Sequence, residues 1–66
     1  MTKRERKRIA ALIAEQELII EKATDEGAVS EAKDRIVRII ASIRTNHMYD
    51  IIQIDEEVQK ILQKNS

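Results

Sequence analysis

Apolar residues recur along the chain at helical spacing, in three runs. In the middle run, stepping about 100° per residue, Val29, Ala32, Ile36, Ile39, Ile40 and Ile43 fall within roughly 100° of one another, a single apolar stripe on an otherwise polar helix. Ser30 is a capping residue type at the start of this run, and Glu31 and Arg44 are the acid and the base that the helix dipole favours in its first and last turns. Glu31 with Arg35, and Asp34 with Arg38, are acid-first pairs four apart that support an exposed helix face. The pattern predicts a helix over about 30–45.

The first run predicts a helix over about 3–25. Ile9, Leu12, Ile13, Gln16, Ile19, Ile20 and Ala23 lie within about 120° of arc, while Ala11, Ala14 and Leu18 form a weaker stripe on the other side. Gly27 is the expected stop, because glycine adopts the left-handed conformation that closes a helix. With Ser30 as the next cap, three or four residues connect the two helices, which makes them an antiparallel hairpin.

The second helix does not continue to the end. If it did, Asp50 would fall inside the apolar stripe and Ile52 roughly opposite, so the phase resets between Arg44 and Ile51, with Thr45, Asn46 and His47 as break residues. Ile51, Ile54, Val58, Ile61 and Leu62 form a new stripe, and Asp50 with Gln53 has capping-box spacing. This predicts a third helix over about 50–64, with residues 64–66 a disordered tail. A strand over 48–54 is the competing reading, but its alternation is imperfect and no second strand exists to pair with it. The expected fold is all-α: one domain over 1–66, a small three-helix bundle built on an antiparallel helical hairpin. The third helix lies across the open face of that hairpin or is exchanged with another chain.

Composition agrees with helices and limits the core. Proline is absent, Gly27 is the single glycine and 36% of residues are charged. Tyr49 is the single aromatic, so branched aliphatics must fill the interior. At 66 residues one core is marginal without disulfides, a metal or oligomerisation, and cysteine is absent. A small cysteine-free domain fits the cytoplasm better than the disulfide-dense secreted class. Glu15 and Glu17 interrupt the apolar run that follows the basic start, unlike a secretory signal, and no apolar segment approaches a membrane span. A soluble chain with no membrane partner is expected.

Twelve bases balance twelve acids, but in blocks. Lys3, Arg4, Arg6, Lys7 and Arg8 surround Glu5 alone, whereas residues 9–34 carry seven acids against Lys22 and Lys33. Bases in a first turn oppose the helix dipole, so residues 1–6 are expected to fray unless something anionic binds them. That cluster is the candidate contact for nucleic-acid phosphate or another anion. A helix-turn-helix reading fails, because the third helix would carry an acidic first turn into the major groove.

No catalytic, metal or nucleotide motif is present. His47 has no HExxH, ExxH or cysteine companions, and the acids of the first helix spread over its polar arc instead of converging. No cofactor is expected, and the chain is read as not an enzyme. In size and hairpin it is similar to small plasmid-encoded RNA-binding helical hairpins that dimerise into four-helix bundles. Their aromatic RNA-contacting position has no counterpart here and a third helix is expected, so no role passes from them. The expectation is a small regulatory protein: a non-enzymatic protein-binding module, of adaptor or inhibitor type, acting through amphipathic helix faces. Ala11, Ala14, Leu18, Val37, Ala41 and Ile52 lie off the main stripes and mark the expected partner or homo-oligomer face, most simply that of a dimer. The alternative is a nucleic-acid-associated regulator that uses the basic N-terminal segment.

Overall fold

A computed structural model describes residues 1–43 and 47–65. It contains α1 (Lys3–Lys22), α2 (Glu26–Ser42) and α3 (Met48–Lys64), with no strand among the described residues. The stretch 48–54 is therefore helical. The architecture is the all-α bundle that the periodicities predict.

The helix ends differ from expectation where side chains compete to cap them. Thr2 is extended, and its hydroxyl accepts the Glu5 N–H at 3.2 Å to start α1. The helix ends at Ala23, also extended, whose N–H donates to the Ile19 carbonyl at 2.8 Å. Asp25, not Ser30, caps α2: its carboxylate accepts the Gly27 N–H at 3.2 Å. An aspartate in this place satisfies an orphan donor of the first turn, so the helix begins four residues earlier than Ser30. Gly27 is consequently inside α2 and has no positive φ, a correction to its reading as the stop.

α2 ends at Ser42, where the Ser42 hydroxyl donates to the Ile39 carbonyl at 2.7 Å and Ile43 turns extended. Thr45 and Asn46, two of the expected break residues, lie outside the described residues, as does Arg44. His47 occupies the N-cap position of α3, and its carbonyl accepts the Asp50 and Ile51 N–H groups. Asp50 therefore stands within the first turn, and its carboxylate is engaged elsewhere, as shown below. At the far end Asn65 closes α3 through its N–H and its side-chain amide, both donating to the Ile61 carbonyl. Ser66 lies outside the described residues.

α1 is the centre of the molecule. It packs against both α2 and α3, whereas no Cα of α2 comes within 8 Å of one in α3 among the described residues. The core consists of Ala10, Ile13 and Ala14 from α1 with Ile54 and Val58 from α3, flanked by half-buried Ile9, Ile39, Ile43, Ile61 and Leu62. Ala10 and Ala14 have no exposed surface, and their small side chains let the α3 backbone approach closely. Ala14, expected on an outside face, thus belongs to the interior. The helix buries two adjoining faces, one under α2 and one under α3. As a consequence, Leu12 at the far edge of the predicted stripe remains 44% exposed.

Candidate functional site

The helices leave an open groove between α2 and α3, floored by α1. Its walls are Ile36, Ile40 and Ile43 on one side and Ile51, Ile54 and Val58 on the other, with Ile13 beneath and Glu17, Asp55 and Gln59 among its lining. Its volume is about 330 Å³. Such a site offers apolar contact and few polar groups. Ile40 and Ile51 are 55% and 45% exposed at the groove, and beside Ile40 on α2 stands Val37, 64% exposed. No large apolar side chain anywhere in the described chain is fully buried.

The expected oligomer-face residues separate. Val37, Ala41 and Ile52 are exposed on α2 and α3, and Ala11 is exposed on α1. Leu18 is half-buried and lines a shallow depression with Ile19, Ala23 and Ala28. Ala14 is enclosed within the chain, as described above.

The five N-terminal bases separate too. Arg6 is withdrawn from the surface: its guanidinium donates to Asp50 Oδ1 at 2.9 Å and to the Met1 carbonyl at 2.9 Å, and lies 5.7 Å from the centroid of the Tyr49 ring. The Met1 amino group stands 3.9 Å from Asp50 Oδ2. Asp50 is buried, so this pairing is partly desolvated and ties the start of α1 to the start of α3. The expected external anion for the first turn is here supplied by the chain itself. Arg6 is therefore engaged within the chain, whereas Lys3, Arg4, Lys7 and Arg8 are exposed.

Lys3 and Lys7 line a second depression, of about 540 Å³, with Glu57, Lys60, Ile61, Gln63 and Lys64 of α3. Arg4 and Arg8 are exposed and do not line it. Lys60 and Lys64 were missed from sequence because their partnership with Lys3 and Lys7 depends on how α3 crosses α1. Asp50 carried a readable signal: it lies four before Ile54 and eight before Val58, in phase with the buried stripe.

Among the described residues no group of three or more His, Cys, Asp or Glu side chains is arranged to hold a metal ion. His47 is exposed, with no side-chain hydrogen bond capping the helix. No described helix is long and apolar enough to cross a membrane. No family model, no curated protein and no solved structure matches the chain.

Proposed function

We propose that the protein is a non-enzymatic interaction module of adaptor or inhibitor type that works as a homodimer, its α2–α3 groove taking α2 of a second copy. One observation carries the reading: the two outer helices leave the apolar groove between them uncovered. A chain this small commonly enlarges its core by two-fold association.

Charge favours a second copy as the occupant. The groove carries Glu17 and Asp55 among its lining. The exposed ridge of α2 carries Val37, Ile40 and Ala41, with Lys33 one turn before Val37 and both Asp34 and Arg38 on the Ala41 side, two bases against one acid. An apolar ridge with basic neighbours complements an apolar trough with acidic ones, and a two-fold contact makes the match twice. The outer surface left by the dimer, including Leu12 and Ile19 on α1, remains for a further protein. A cytoplasmic setting accompanies this reading, given a chain without cysteine.

Sedimentation equilibrium at tens of micromolar tests it. The wild type is expected at the mass of a dimer. Ile40→Glu and Val37→Glu, both at exposed positions of the single chain, are expected to yield monomers of unchanged helicity. A wild-type monomer overturns the reading, and so does a dimer that both substitutions leave intact.

A further inference from the structure

The basic trough on the other flank of α3 is separate from the groove and does not depend on it. We propose that this trough, between the start of α1 and the end of α3, binds nucleic acid through its phosphates, without reading sequence. Lys3 and Lys7 stand one turn apart on one wall, and Lys60 and Lys64 one turn apart on the other, so each pair is spaced about 6 Å along its helix axis. Among the described residues, Lys3, Lys7 and Lys64 have no carboxylate within 4.0 Å, and Lys60 reaches Glu57 at 3.6 Å. Four ammonium groups against one carboxylate leave a surplus of positive charge around one depression.

Like charges four apart on a helix repel, and among the described residues Lys3 and Lys7 form no ion pair that offsets this. A polyanion does. Each ammonium is a compact charge with three donors that rotate freely, which suits phosphate oxygens at no fixed angle. Ile61 is the single large apolar side chain lining the trough, which disfavours a folded acidic protein, whose interface needs an apolar centre. A phosphate backbone needs none, because its affinity comes from counterion release. No aromatic side chain lines the trough, so bases have no stacking platform and duplex is preferred to single strand. Contacts from lysine ammonium groups to phosphates fix the position of a duplex but carry no sequence information.

Fluorescence anisotropy of a labelled DNA duplex with the full chain, measured across a salt series, tests the proposal. With about three phosphates neutralised, affinity is expected to fall roughly fortyfold between 50 and 200 mM salt. The double substitution Lys60→Gln/Lys64→Gln is expected to reduce the slope of log affinity against log salt by about 2. Glu57→Gln removes the opposing carboxylate and is expected to strengthen binding, a result that a merely structural role for these residues would not produce. Arg4→Gln/Arg8→Gln serves as the comparison of equal charge outside the trough. Absence of binding at 50 mM salt overturns the proposal. Equal loss in the two double variants does so as well, because it would reduce the effect to net charge, and polyglutamate competing as strongly as duplex would reassign the trough to an acidic protein.

Discussion

Gly27 sits in the first turn of α2, and the nearest atom that a Cβ there would meet is Asp25 Oδ2 at 3.4 Å, an ordinary contact. Gly27→Ala is therefore expected to stabilise the protein by about 0.5–1 kcal/mol, because alanine loses less backbone freedom on folding. In a chain of this length that is a rise of several degrees in Tm, readable by thermal unfolding. A fall would return Gly27 to a left-handed turn and move the start of α2 back towards Ser30. Asp50 is the opposite case, a polar residue whose burial is justified by its partner. Asp50→Asn weakens a charge-assisted bond to Arg6 and is expected to cost about 1–3 kcal/mol in urea unfolding. A double-mutant cycle with Arg6→Gln should show substantial coupling, and additivity would mean that the pair contributes nothing.

Among the elements, α1 is the one whose role sequence periodicity describes incompletely. Its wheel shows a stripe of large aliphatics and a weaker one of alanines and Leu18, read as a core face and an outside face. In the fold, Ala10 and Ala14 meet α3, and α2 covers the adjoining side, so part of the second stripe is interior. Alanine gives no advance notice of this, since it is as compatible with exposure as with a close helix crossing. The distinction is measurable. Ala14→Leu overpacks the α1–α3 contact and is expected to cost about 1–3 kcal/mol, whereas Ala11→Leu at an exposed position is expected to stay within about 0.5 kcal/mol of wild type. Equal effects from the two would contradict this placement of α3. The positions of the caps were legible only in part: Asp25 and Ser30 are both capping residue types near the start of α2, and Asp25 is the one that accepts a first-turn N–H.

At the scale of the whole molecule, the radius of gyration is 12.1 Å. A compact chain of this length would have about 10.8 Å. The excess fits a bundle whose outer helices do not close over its centre. If a second copy completes the core, folding and association are linked, and Tm is expected to rise with protein concentration in the wild type but not in Ile40→Glu. Concentration-independent melting of the wild type would leave the groove open in solution. Among the described residues, the number of helices, their approximate extents and the absence of strands were set by the sequence, because a 3.6-residue apolar period and a chain free of proline act locally. Which face of α1 meets which helix, why Arg6 is an internal cation, and why Lys60 and Lys64 join Lys3 and Lys7 were decided only in the tertiary structure. Periodicity states the direction in which a helix is apolar, but the neighbour that covers it and the charges that meet across it depend on docking between residues far apart in the chain, as Arg6 and Asp50 are.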